Sequence, residues 1–252
     1  MTGEPARGDE AFFEMIRTHR ARTFFRVMGK LPSAPRCAVC HAPFGGVGGQ
    51  VMRRFGFGPS RKNPRLCSQC FEKAPDGGVN LDVGVLFADV RGFTSMAEGS
   101  DPQALVPLLN AFYDAAVEVL CQHAIIDKLV GDQVMAVYLP QVLGEGAVEH
   151  MVADALALVA SAPDQLSLGV GLDYGTAFVG NVGSGEVKDF TAIGDVVNTA
   201  ARLQSAAASG EVILSGRVMS INPTGLRHAD PRSLVLKGKS QPEHAFALTV
   251  DR

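Results

Sequence analysis

VGVLFADVRGFTSMAE, residues Val83 to Glu98, is the stretch from which the rest of the chain can be read. Its first half, Val83 to Val90, is an apolar run of strand length that sets Val85, Phe87 and Asp89 on one face. A carboxylate on such a face is costly to bury unless it is paired or binds a cation. Gly92 then breaks the strand into a tight turn whose backbone N–H groups can meet an anion; Phe93 and Thr94, which follow it, are candidate substrate-binding residues. Strand, carboxylate and anion-ready turn are the parts of a metal–phosphate site. Taken alone, the stretch fits an Asp that caps the next element equally well.

Downstream, Pro102 to Ala124 reads as a helix, with Asp101 as N-cap and Pro102 at the first helical position. Leu105, Leu108, Leu109, Phe112, Ala116, Val119 and Leu120 give its apolar stripe, and Pro107 predicts a late start or a kink. Ile125 to Pro140 holds two β-rich runs around Gly131-Asp132, a hairpin. If that hairpin lies beside the first strand, Asp132 and Asp89 meet at one end of the sheet. Two divalent ions, about 3.5–4 Å apart and shared with a triphosphate, relieve such a carboxylate pair. Lys128, four residues before Asp132, projects from the same hairpin.

A second helix is expected from Glu145 to Ser161, then a strand from Leu166 to Gly175 that continues to Ser184. Gly175, Gly180 and Gly183 suggest a bulge or close backbone approach there. In DFTAIGDVVNTAARLQSAA, Asp189 to Ala207, Gly194-Asp195 opens a helix that carries Asn198 and Arg202 on one face, one turn apart. An amide and a guanidinium so placed can hold a ribose and a phosphate together. The tail adds further strands. The expected class is α+β, one sheet with helices mainly on one face.

The 252 residues, 46% of them hydrophobic, suffice for one good core and one smaller module. Residues 1–80 carry a net +7 and residues 81–252 a net −10, which puts a boundary near Gly77-Gly78. No apolar run has the length of a membrane span, and MTGEPARGDE opens no signal peptide. A cytoplasmic protein is expected, whose five cysteines are thiols or metal ligands.

Within the basic part, Glu10 to Gly29 reads as an amphipathic helix assigned to residues 1–35, most simply packed within the protein. Residues 36–77 hold two C-x-x-C pairs, Cys37/Cys40 and Cys67/Cys70, able to close a tetrahedron around one ion. The spacer between them, rich in Gly and Pro, reads as loop without a strong core, so a metal would supply the folding energy. Zinc is the first choice, an iron–sulfur cluster the second and a thiol–disulfide switch the third. Arg53, Arg54, Arg61, Lys62 and Arg65 form a basic cluster. A solvated face, or one docked on the acidic part, is favoured over a nucleic-acid contact.

FADVRGFT, KLVGDQVMAVY, GLDYGTAFVGNVGS, FTAIGDVVNTAARL and the closing LKGKSQP, in this order over about residues 80–250 of a domain bounded at 78–252, resemble the catalytic domain of class III nucleotidyl cyclases. The resemblance implies a ferredoxin-like βαββαβ core with extra strands and a head-to-tail homodimer. It matches Asp89 and Asp132 to two aspartates that bind Mg2+ or Mn2+, and Asn198 and Arg202 to the groups acting on ribose and phosphorus. Lys128 and Thr191 match the purine-reading pair, and in the family these four groups come from the partner protomer. Lys128 suits ATP better than GTP, since guanylate-specific members carry Glu there. An adenylate cyclase regulated by its metal module is the expectation. The alternatives are a guanylate cyclase, a silent nucleotide-binding scaffold, and a nucleic-acid-binding zinc protein. The GG[DE]EF signature of diguanylate cyclases is absent.

Overall fold

The structure, a computed structural model, describes residues 35–37, 42–60, 64, 66–71, 77–140, 146–184, 187–221, 226 and 228–250; at residues 70, 71, 184, 187 and 188 it describes the backbone alone. The expected N-terminal helix, Cys40, Arg61, Lys62 and Arg65 lie outside these residues. The chain divides into two units, one of residues 1–81 and 178–192, the other of residues 82–177 and 193–252.

In the first unit, the spacer between the two cysteine pairs differs from the expected loop. It forms α1 (Gly46–Arg54), and the short α2 (Ser68–Phe71) follows at the second cysteine pair. The reason is local. Gly49 lies so close to the Phe44 backbone that any side chain would collide with it. The Arg53 guanidinium donates back to the Phe44 carbonyl across 3.0 Å, and Phe57 N–H closes the helix end on Met52 O at 3.0 Å. Ala42, Phe44, Met52 and Leu66 are buried, as are Cys37 and Cys67.

The strands of the sheet are β1 (Gly77–Val90), β2 (Ile125–Val130), β3 (Gln133–Tyr138), β4 (Leu168–Ser184), β5 (Val187–Ile193), β6 (Glu211–Ser215), β7 (Asp230–Leu234) and β8 (Glu243–Thr249); β5 up to Ala192, the start of β1 and the end of β4 fall in the first unit, and the rest fall in the second. The order is β2-β3-β1-β4-β6-β8-β7, with β5 paired to β4. Helices α3 (Phe93–Glu98), α4 (Pro102–Leu120), α5 (Ala147–Ser161), α6 (Asp195–Ala206) and α7 (Gly216–Ser220) connect them. The sequence β1-α4-β2-β3-α5-β4, with spatial order β2-β3-β1-β4, is the expected ferredoxin-like βαββαβ core. β6, β7 and β8 are the extra strands.

Alternation along the strands sorts the core. Leu86, Ala88 and Val90 of β1, with Val212 and Leu214 of β6, face Phe112, Ala116 and Leu120 of α4 and Met151, Ala155 and Leu158 of α5. Ile213, between them, points the other way, into a smaller cluster with Leu203 of α6 and Ala245 and Ala247 of β8. So two helices cover one face and α6 covers part of the other. α4 runs unbroken through Pro107, whereas a late start or kink was expected. Its first turn is anchored by Asp101, which accepts from Gln103 N–H at 3.0 Å. The expected close approach along β4 is found at Gly180, whose missing side chain admits the backbone of Gly77 and Gly78.

Candidate active site

β1 and β3 pair antiparallel with Asp89 opposite Gln133, so the hairpin tip lies at the end of the strand that carries Asp89. Gly131 turns the hairpin with φ 60°, and Val90 N–H donates to Asp132 O at 3.1 Å. The two carboxylates are thereby brought together, as their positions in the sequence predicted. Burial pushes the Asp89 carboxyl above the ordinary carboxylate range, and the neighbouring Asp132 pushes it further; the Arg91 guanidinium pulls against both. The Tyr113 hydroxyl of α4 donates to the Gly131 carbonyl and so pins the hairpin turn to the helix. Burial, and then the charge of Asp132, raise the pKa of that hydroxyl.

Three residues that the sequence did not single out complete this corner. Arg91 is bonded to Asp89 through Nη2. Gln204 of α6, 3% exposed, hydrogen-bonds Asp89 and accepts from the Gln133 amide at 3.3 Å. Gln133, opposite Asp89 in the ladder, is the third. No spacing rule points to Gln204, because its partners lie 71 and more residues away and only the closed sheet brings them near.

Asp89 and Asp132 offer oxygen ligands alone, the donor chemistry of Mg2+ and Mn2+. Among the described residues no group of three or more His, Cys, Asp or Glu is placed to hold a metal. A carboxylate pair of this kind fits the habit of Mg2+, which is held by one or two carboxylates and completed by substrate phosphates. Burial first, and the neighbouring Asp132 second, raise the pKa of Asp89, and a divalent cation would offset both by favouring the ionised carboxylate.

Asn198 and Arg202 lie on one side of α6, Asn198 exposed and Arg202 half-buried. Arg202 packs beside Gly238 of the β7–β8 connection, where an added Cβ would come within 3.3 Å of its Nη2. The start of α6 is held by ions. Asp195 accepts from Lys239 at 3.0 Å and from Arg217 at 3.3 Å. Arg217 is also bonded to Asp173, a fully buried carboxylate that accepts from Ser215 at 2.5 Å. Burial pushes Asp173 up against the pull of Arg217, while the hydrogen bond from Lys239 holds Asp195 below the ordinary range.

Lys128 is exposed on β2, beside a register shift of the hairpin between Ile126 and Lys128. Phe93 opens α3 and packs partly buried against the main core, and Thr94 is exposed. Thr191 is buried on β5 in the first unit. In that unit the first cysteine of each pair meets the other: both are buried, and Cys67 N–H donates to Cys37 Sγ at 3.3 Å. Cys40 is outside the described residues, and of Cys70 only the backbone is described.

The family model of the adenylate and guanylate cyclase catalytic domain matches residues 79–249. Among curated relatives, an adenylate cyclase 1 of Rhizobium meliloti is 32% identical over 62% of this chain and 26% of its own length. An adenylate cyclase of Anabaena cylindrica is 30% identical over 52% of the chain and 30% of its own. The chain thus spans under a third of the length of these two relatives. Among solved structures, the adenylyl cyclase CyaB from P. aeruginosa is 27% identical, with TM-score 0.61, over 69% of this chain and 96% of that one. The guanylyl cyclase Cya2, at 24% identity and TM-score 0.64 over 70% and 96%, shares the fold. No helix among the described residues is long and apolar enough to cross a membrane.

Proposed function

The chain belongs to the adenylate and guanylate cyclase family, and from that premise we propose that it is an adenylate cyclase, converting ATP to 3′,5′-cyclic AMP and pyrophosphate. The observation that carries this is the apposition of Asp89 and Asp132 at the end of β1, where burial and mutual repulsion prepare two carboxylates for divalent cations. Relatives named as adenylate cyclases support it, at about 30% identity. Lys128 favours ATP, since an ammonium donates to an acceptor on the adenine edge and meets only repulsion from guanine's donors.

When bound, Mg2+ or Mn2+ lowers the pKa of the ribose 3′-hydroxyl and neutralises the triphosphate. The chain's own residues do the rest. Asn198 orients the ribose so that its 3′-oxygen stands in line with the bond from the α-phosphorus to pyrophosphate. Arg202 compensates charge that develops at the α-phosphate, a contribution on the order of a few kcal/mol. Lys128 and Thr191 hold the base. We place each site between two copies of the chain arranged head to tail, Asp89 and Asp132 from one and the other four groups from its partner. Both halves of the site occur in this one sequence, so a homodimer has two sites.

For residues 36–77 we propose a four-cysteine metal module that regulates the cyclase, with zinc as its ion. The contact between Cys67 N–H and Cys37 Sγ supports it, because backbone donors of this kind stabilise a thiolate and so prepare it for a metal. Elemental analysis and a visible spectrum of protein purified without air test it. Zinc without absorbance near about 400 nm bears it out, whereas iron with that absorbance replaces zinc by a cluster.

Product formation by the full chain, given ATP and GTP in parallel with Mg2+ or Mn2+, tests the cyclase reading. Cyclic AMP from ATP and little product from GTP is the expected result. The reverse preference makes it a guanylate cyclase. No product from either, for the full chain and for residues 78–252, makes it a nucleotide-binding scaffold.

A further inference from the structure

Arg91 follows β1 directly, and its backbone N–H donates to Ser167 O at 2.7 Å. Its guanidinium bridges two parts of the candidate site. Nη2 is bonded to Oδ2 of Asp89, and Nη1 donates to the carbonyl of Ala207, the C-cap of α6, at 3.3 Å. A helix C-terminus carries partial negative charge, so the cation is held from both sides. The third donor, Nε, is buried and meets no acceptor among the described residues. An arginine placed only for packing or stability would not leave a buried donor unmet, since such donors are nearly always satisfied. Gly169 lies under the same group: a Cβ there would come within 2.8 Å of Nε and 2.9 Å of Cζ. β4 therefore leaves a glycine-sized space that the guanidinium occupies.

From this geometry we propose that Arg91 is a positioning residue for the cation-binding carboxylate. It fixes the Asp89 side chain against the end of α6, and it offsets the charge of the Asp89–Asp132 pair before a divalent ion arrives. The proposal rests on the reading of Asp89 as a metal ligand. Groups that hydrogen-bond a ligating carboxylate commonly change metal affinity by about 10–100-fold when removed. It also makes Arg91 a mechanical link: α6 carries Asn198 and Arg202, and its C-cap is tied to the carboxylate that this protomer contributes.

The test is Mn2+ binding to the full chain without nucleotide, followed by the loss of the free-ion electron paramagnetic resonance signal. Wild type is compared with Asp89→Asn, Arg91→Met, Arg91→Lys and Gly169→Ala. Asp89-dependent binding is expected to weaken about tenfold in Arg91→Met, to recover in part in Arg91→Lys, and to weaken in Gly169→Ala, where the guanidinium is displaced. In turnover at saturating Mn2+, the nucleotide KM of Arg91→Met stays at the wild-type value. If Arg91→Met does not fold, Gly169→Ala and Arg91→Lys decide. Wild-type binding in the Arg91 and Gly169 variants, with loss only in Asp89→Asn, overturns the proposal alone. Equal binding in wild type and Asp89→Asn overturns the metal-ligand reading beneath it.

Discussion

Lys239, in the connection between β7 and β8, donates to the carboxylate of Asp195 at the start of α6 across 3.0 Å. The same lysine lies 3.3 Å from Glu243 on β8, and the same aspartate accepts from Arg217. Two motifs that stand 44 residues apart in the chain, IGDVVN and LKGK, are thus one ionic corner. Asp195 is mostly solvated, and an exposed pair of this kind stabilises by only about 0.2–1 kcal/mol. Its effect is to aim α6, with Asn198 and Arg202 in the following turns. Asp195→Ala should therefore lower the melting temperature by no more than a few degrees while reducing cyclase turnover about tenfold. Paired unfolding and kinetic measurements check this; turnover at the wild-type level would remove the aiming role.

Asp89→Asn and Asp132→Asn should each reduce cyclisation by at least about a hundredfold, since either change leaves a single carboxylate for the cations. Both variants should remain dimers by light scattering. Dissociation to monomers would show that these residues hold the interface and not the cation.

The relation of Asp89 to Asp132 was legible because it depends on local rules. An apolar strand ends in a carboxylate, a Gly-Asp turn makes a hairpin, and antiparallel pairing puts the two side by side. The same periodicities gave the alternation of strands, hairpin and helices, and the resemblance to the cyclases implied the ferredoxin-like βαββαβ core. What stayed hidden depends on tertiary closure. Gln204 looks like any polar residue of an amphipathic helix until α6 packs on β4, and Arg91 like any turn arginine until Ala207 is brought to it. The helix α1 was hidden for a different reason. GGVGGQVMRR has poor intrinsic helix propensity, and contacts to Phe44 that the local sequence does not announce override it.

Base selection should respond to Lys128. In Lys128→Glu the ammonium that meets an adenine acceptor is replaced by an acceptor for guanine's N–H groups. The ratio of kcat/KM for ATP to that for GTP should fall by about 10–100-fold, on the order of 1.4–2.7 kcal/mol of discrimination. Parallel kinetics with both nucleotides read this out. An unchanged ratio would take Lys128 out of the base pocket.

Gly171 of β4 has no room for a side chain. A Cβ there would strike the backbone of α6 at Ala200 and Gln204, coming within 2.7 Å of Gln204 Cα. Backbone cannot move aside as a flexible side chain can, so Gly171→Ala should cost about 1–3 kcal/mol. For a domain of this size that is a fall of roughly 2–12 °C in melting temperature. Turnover should drop as well, because Gln204 is displaced from Asp89. Calorimetry of the variant checks the first effect, and a melting point within a degree of wild type would mean that α6 sits farther from β4.

A buried cluster behind the sheet sets a pH dependence of stability. Asp154 of α5 accepts from the Tyr138 hydroxyl at 3.0 Å and lies 3.1 Å from His123 Nδ1, and His150 stacks on His123 with ring centres 4.0 Å apart. Burial pushes the Asp154 carboxyl above its ordinary 3.8, and the hydrogen bonds from His123 and Tyr138 pull it only part of the way back. The folded state therefore keeps this proton at pH values where the unfolded chain has released it. Because the folded state binds more protons in that window, stability falls as pH rises through it and levels off once the folded carboxylate is ionised. Asp154→Asn has no such proton to release. Urea unfolding from pH 4 to 7 should show wild type losing stability relative to Asp154→Asn as pH increases, most steeply between the ordinary 3.8 and the raised pKa of the folded state. Parallel stability curves for the two proteins would mean that the partners of Asp154 fully offset its burial.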